Sequence, residues 1–335
     1  MKWLAAISFT LLLVACGNFG LNEEQLLQRA RAYLEDEQYQ AAAIEARNTL
    51  QKNPQNAEAR YLLGVITLEY GDYLSAEREF RNADLAGWGG GAARIGRARA
   101  MLELGEYQLL IDQVKTDEAF TATVNADLLA LRAAASAALE DYSGALAILA
   151  EATALDPSAF QVYMTRVQLQ LDDDDLAAAT AVIQDALERY PKNPELLLLQ
   201  ANIDLAEGNL AKGKQVLHAV IDNDPEEFIS IHGVNARLRL VEVLLLEEDL
   251  EVARLTLAPL FGRTRNAPYT NYLGGLLAFD MGDYDLAEQR LLKVLRVAPD
   301  HEPTRLLFAT VNFAQQDYEQ AAYFLSKYVA VNPEH

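Results

Sequence analysis

The chain has 335 residues, 51% of them apolar and 23% charged, with a formal net charge of −21. Such acidity argues against nucleic acid as a partner, because duplex binding needs a basic footprint. The apolar content is too high for a disordered chain, and one cysteine excludes an internal disulfide framework.

The first sixteen residues differ from the rest. Lys2 is their only charge, residues 3–14 are an apolar run, and Leu13-Val14-Ala15-Cys16 closes the segment before Gly17-Asn18. An apolar run of about twelve residues falls short of the roughly twenty needed to span a bilayer as a helix, so it reads as a signal-peptide core. The small residue at Ala15 before Cys16 resembles the lipobox of bacterial lipoproteins. That resemblance implies that residues 1–15 are removed, that the Cys16 thiol is lipidated, and that residues 16–22 become a tether to the membrane. Gly17, where a retention signal would place Asp, points to the outer membrane, facing the periplasm. The alternative is an ordinary secretory signal with a chance cysteine.

From residue 23 onward the sequence repeats itself. Tyr39, Tyr73, Tyr107, Tyr142, Leu176, Leu210, Leu250, Tyr284 and Tyr318 follow one another at 34 or 35 residues, with a single step of 40 before Leu250. Three residues after each marker lies Ala42, Ala76, Leu110, Ala145, Ala179, Gly213, Ala253, Ala287 or Ala321. Nine before it lies Ala30, Gly64, Ala98, Ala133, Val167, Ala201, Val241, Gly275 or Ala309. Fifteen after it, six units carry a proline: Pro54, Pro157, Pro191, Pro225, Pro299 and Pro333. Small residues let two antiparallel helices approach closely, Gly tolerates a left-handed turn, and Pro stops one helix before the next begins. Gly-Asp-Tyr at 71–73 and 282–284 marks the turn inside a unit.

This pattern resembles the tetratricopeptide-repeat (TPR) family. It implies an all-α fold, a right-handed superhelical solenoid of about nine helix-turn-helix repeats over residues 23–335. A stacked array also escapes the size limit on a single core, since each unit contacts only its neighbours. Three places break the pattern: the glycine-rich 87–91, residues 114–125, and an insertion over 226–233. The last helices are expected to leave Val311, Phe313, Phe324 and Tyr328 partly exposed, because terminal repeats need a polar outer face.

No catalytic constellation appears. His218, His232, His301 and His335 are scattered and form no HExxH, and no thiol beyond Cys16 is available. The segment 87–91 lacks the Lys-Ser/Thr of a phosphate loop. Asp172 to Asp175 lack the Gly and closing Glu of a calcium loop and read as a solvated turn. The sequence predicts no enzyme, no metal and no cofactor.

Trp88 carries two readings: an interface anchor in a glycine-rich loop, or a side chain folded back on a neighbouring helix. Charge placement is the sharper feature. The central positions of the predicted first helices hold eleven arginines, no lysine, and only Asp204 and Glu242 as acids. TPR first helices line a concave groove, so the resemblance implies that Arg31, Arg60, Arg94 and Arg99 are candidates to bind an acidic segment or polyanion. Arg29, Arg97, Arg132 and Arg166 share one repeat position and suit structural pairing with acids on second helices. Both roles stay open for the set.

Glu23-Glu24-Gln25-Leu26-Leu27, Ala41-Ala42-Ala43-Ile44-Glu45, Leu50-Gln51-Lys52-Asn53-Pro54, the run from Ala57 to Gly64 and Ser75-Ala76-Glu77-Arg78-Glu79-Phe80 are similar to one group. These are the TPR lipoproteins of the PEP-CTERM/exosortase system, which are usually much longer. The resemblance implies a non-catalytic scaffold among envelope proteins, serving exopolysaccharide or exosortase-linked export. An adaptor for outer-membrane or pilus-secretin assembly is the competing expectation.

Overall fold

The computed structural model describes residues 20–224, 229–264 and 267–331. The expected signal, Cys16, Pro225 and Pro333 lie outside the described residues, as do residues 226–228 of the insertion. Among the described residues are nineteen α-helices and no strand. They form nine antiparallel pairs in chain order: α1 (Glu23–Glu35) with α2 (Tyr39–Lys52), α3 (Ala57–Glu69) with α4 (Tyr73–Leu85), and α5 (Ala92–Glu103) with α6 (Tyr107–Gln113). Then come α7 (Ala122–Ala138) with α8 (Tyr142–Leu155), α9 (Phe160–Asp172) with α10 (Leu176–Arg189), and α11 (Pro194–Ala206) with α12 (Leu210–Asp222). Last are α13 (Ile231–Leu246) with α14 (Leu250–Leu257) and its continuation α15 (Leu260–Arg263), α16 (Pro268–Asp280) with α17 (Tyr284–Val297), and α18 (Glu302–Ala314) with α19 (Tyr318–Val331). The chain divides into two compact units, one of residues 1–68 and 72–100, the other of residues 69–71 and 101–335.

One turn geometry joins the two helices of every pair. The residue two before each marker has a left-handed backbone: Gly71, Gly105, Gly208 and Gly282, and also Glu37, Glu140, Asp174, Glu248 and Gln316, with φ between 57° and 82°. Glycine fits that region without penalty, whereas an L side chain is strained there. The next residue starts the second helix. In six pairs it is an aspartate, and Asp72, Asp141, Asp175, Asp249, Asp283 and Asp317 each accept a hydrogen bond from a backbone N–H three residues on. At the start of α1, Asn22 and Gln25 cap each other reciprocally.

Helices approach closely where the repeat places small residues. A Cβ at Gly275 would lie 2.6 Å from Leu291 Cδ2, and one at Gly213 would lie 2.6 Å from Leu205 Cδ2. In the first unit the core gathers Ala76, Phe80 and Ala83 of α4 with Ala93 and Ala100 of α5. In the second, one cluster joins Leu217, Leu240, Leu244, Leu257, Leu260, Leu273 and Leu277, and another joins Leu291 of α17 with Phe308 and Val311 of α18.

The structure departs from the sequence pattern in three places. Helix α6 is only seven residues long, ends at Gln113, and is followed by a cap at Thr121 that starts α7. The seventh pair has a divided second helix, because Pro259 has no N–H to continue α14 and α15 starts anew after it. The expectation of exposure at the last pair needs correcting for Val311, which is fully buried against α17. Phe313 is 61% exposed, while Phe324 and Tyr328 are half-buried. Among the described residues no helix is long and apolar enough to cross a membrane.

Candidate functional site

The predicted groove arginines Arg31, Arg60, Arg94 and Arg99 all fall in the first unit, on α1, α3 and α5. Arg31, Arg60 and Arg94 engage carboxylates. Arg31 meets Glu58 of α3 with two nitrogens, Nη2 donating to Oε2 at 2.6 Å, and also reaches Glu24 at 3.4 Å. Hydrogen bonding to Glu58, opposed by burial and aided by both charges, raises the pKa of the Arg31 guanidinium above its ordinary value. Arg60 donates to Glu79 of α4 at 2.7 Å and to the Pro54 carbonyl at 3.2 Å. Arg94 lies 3.5 Å from Asp84. Arg99 is half-buried on α5.

The arginines assigned to structural pairing behave in two ways. Arg29 pairs with the buried Glu45 of α2 at 2.7 Å, and Arg97 donates through Nε to the buried Glu77 of α4 at 2.9 Å. In the second unit, Arg132 has a buried Nε with no hydrogen-bond acceptor. The acids explain the difference. Glu45 and Glu79 stand six residues after their markers and Glu77 four after, whereas α8 carries Leu146 and Ile148 at those positions and α10 carries Thr180 and Val182. Ion pairs therefore tie α1 to α2 and α3, α3 to α4, and α4 to α5. In the first unit, members of both expected sets, Arg31, Arg60 and Arg94 as well as Arg29 and Arg97, meet acids, and the acids at four and six after the marker were the readable signal.

Trp88 folds back onto α3. Its ring stacks on Tyr61, with centroids 5.0 Å apart and planes 20° from parallel, and Tyr61 in turn meets Phe80 at 5.9 Å. Burial raises the pKa of the Tyr61 phenol. Beside Arg60 a hollow of about 200 Å³ opens between Gln55, Asn82, Leu85 and Ala86. Its one charged group already faces Glu79, and the exposed Leu85 forms part of its rim.

In the second unit a cluster that no repeat position marks surrounds Tyr269. Its hydroxyl donates to Glu242 of α13, which also pairs with Arg239, and its ring stacks on Tyr272 at 6.3 Å. Burial, then the bond to Glu242, raises the Tyr269 pKa above the ordinary phenol value. Tyr272 meets His301 edge-on at 5.6 Å. Among the described residues no group of three or more His, Cys, Asp or Glu could hold a metal ion.

Comparison with known proteins agrees with this architecture. The sequence matches the tetratricopeptide-repeat family over residues 27–91, 136–203, 170–234 and 278–335. No curated protein sequence matches it significantly. Among solved structures it is similar to PilW, described as a widely conserved type IV pilus biogenesis factor. That likeness has a TM-score of 0.55 at 16% identity and covers 63% of this chain and 94% of that one. It is also similar to yeast Tom70, with a TM-score of 0.54 at 16% identity over 93% of this chain and 68% of that one. Both likenesses show the fold.

Proposed function

Because this chain belongs to the tetratricopeptide-repeat family, we propose that it is a non-catalytic scaffold, anchored in the cell envelope through Cys16, that assembles other envelope proteins. TPR repeats generally mediate binding to other proteins. The observation that carries the reading is the coupling of nine helix pairs to a lipobox-like N-terminus. Arginine concentrated on the first helices of an acidic chain favours an acidic segment or polyanion as the bound element. Arg31 keeps 38% of its side chain exposed beside Glu58, so a partner carboxylate can reach it.

The likeness of residues 23–80 to exosortase-system lipoproteins supports exopolysaccharide or exosortase-linked export as the setting. The likeness to PilW supports a second reading, an adaptor for pilus or secretin assembly. Neighbouring genes for one machinery or the other distinguish the two. The binding claim is tested by crosslinking and pull-down from envelope membranes, with wild type beside the double variant Arg31→Ala, Arg99→Ala. A partner whose capture weakens with salt and with the variant supports the reading. Capture indifferent to both overturns the arginine role. Labelling with radioactive palmitate, lost in Cys16→Ala, tests the anchor, and an unlabelled wild type overturns it.

A further inference from the structure

We propose that the outer stripe of α19, formed by Tyr318, Ala322, Leu325 and Val329, is the surface on which a second copy of this chain docks, the two α19 helices packing antiparallel across a two-fold axis. The four residues are spaced four, three and four apart, the seam of a helix pair. All four are exposed, Tyr318 by 59%, Leu325 by 38% and Val329 by 46%. The inner side of the same helix is already used: Ala321 is buried, and Phe324 meets Phe308 of α18 edge-on at 4.7 Å.

The repeat itself shows what this stripe is for. In the preceding pair the same four positions are Tyr284, Glu288, Leu291 and Leu295 of α17. There Leu291 is 0% exposed, packed on Gly275 of its own pair and joined to Phe308 and Val311 of α18 in one apolar cluster that also takes in Tyr284 and Leu295. The stripe on α19 therefore continues an interface already built inside the molecule, and a helix is the shape that fits it.

Three features single out a second α19 as that helix. The charged residues of α19, Glu319 and Lys327, both lie off the stripe, so pairing it with itself buries no charge. An antiparallel crossing centred on the stripe sets Tyr318 against Val329 and Ala322 against Leu325 of the second copy, large against small, as close packing requires. Head-to-tail stacking does not compete. The outer side of α1 presents Glu24, Gln25, Gln28 and Glu35 to solvent, which would bring carboxylates onto the apolar stripe.

A contact of one helix per copy belongs with small interfaces that form and part with concentration. Sedimentation equilibrium of the full chain, from about 1 to 100 µM, tests this. The expected result is a mass rising from one chain toward two. Leu325→Glu and, separately, Ala322→Arg are expected to weaken the dimer at least tenfold. Ala322 is exposed and arginine is a good helix former, so that variant keeps the helix, as far-ultraviolet circular dichroism should confirm. Leu146→Glu, at an exposed leucine of α8, is expected to change nothing. A wild type that stays monomeric throughout overturns the proposal, as does a dimer that survives Leu325→Glu and Ala322→Arg.

Discussion

The ring of Phe80 occupies the space that a side chain at Gly96 would need. A Cβ at Gly96 would lie 2.5 Å from Phe80 Cζ, and one at Gly64 would lie 2.6 Å from Phe80 Cδ1. The ring is thus held between α3 and α5 by two missing side chains. Glycine to alanine inside a helix normally gains about 0.5–1 kcal/mol. Here Gly96→Ala is expected to cost about 1–3 kcal/mol through overpacking, and Phe80→Ala about 3–5 kcal/mol through the cavity it leaves. Combining Gly96→Ala with Phe80→Leu should recover much of the first loss. Urea unfolding of these variants and of Phe80→Leu alone measures this, and additive losses in the double variant would contradict it.

Arg97 and Glu77 form the most enclosed of the first-unit pairs, with side chains 12% and 9% exposed. Removing Arg97 leaves the buried Glu77 only its longer contact with the more exposed Arg81, at 3.4 Å. Arg97→Met is therefore expected to destabilise by about 3 kcal/mol, and adding Glu77→Leu to restore most of it. Arg254 and Glu251, both largely exposed on α14, should show a far weaker interaction in the same double-mutant cycle.

The left-handed turns give a prediction with the opposite sign. Glu37, Glu140, Asp174, Glu248 and Gln316 hold the backbone that Gly71, Gly105, Gly208 and Gly282 hold without penalty. Each of the five replaced by glycine should gain some tenths to about 1 kcal/mol, the left-handed penalty less the entropy of the glycine. Gln38 and Glu106 precede second helices with no side-chain cap, and Gln38→Asp or Glu106→Asp should add about 1 kcal/mol. Melting temperatures that fall instead would show that these side chains hold the turns by contacts of their own.

Asp156, at the end of α8, ties the connection to α9 back onto α7 and carries a pH signature. It accepts hydrogen bonds from the Thr123 hydroxyl at 2.6 Å and the Ser158 hydroxyl at 2.8 Å. These bonds, Thr123 first, hold its pKa below the usual aspartate value. A carboxylate with a depressed folded pKa stabilises the fold above its unfolded value, about 3.9, and that contribution disappears as pH falls through the folded value. Asp156→Ala is thus expected to destabilise fully at pH 7 and progressively less below about pH 4. A difference between wild type and variant that stays constant from pH 7 to pH 3 would refute this.

The nine helix pairs were legible because their markers, small residues and prolines recur at one interval. Local rules hid the rest. The turn residue is glycine in only four pairs, so Glu140 and Gln316 concealed the same geometry under residues that rarely adopt it. Pro259 lies where an array of regular pairs has an unbroken second helix, and only its missing N–H reveals the division. The first-helix arginines stood out against an acidic chain, but their partners lie on other helices, at distances that sequence spacing does not give. The same holds for Tyr269 and Glu242, which are 27 residues apart and meet through packing of α13 and α16. Trp88 was ambiguous because flexible glycines allow either direction, and the ring of Tyr61 decides it.

Several polar ties along the array span about one repeat. Asn56 reaches Glu23 across 33 residues, Thr123 reaches Asp156 across 33, the Gln161 backbone reaches Asp127 across 34, and Thr165 reaches the Ala130 carbonyl across 35. All of them but the Thr123–Asp156 tie, which joins α7 to the end of α8 in its own pair, cross one boundary between pairs. Under a pulling force such a chain should yield in increments of one repeat, each releasing about 120 Å of extended polypeptide. A chain pulled from both ends would then lengthen stepwise under load, with each boundary acting as a separate mechanical fuse.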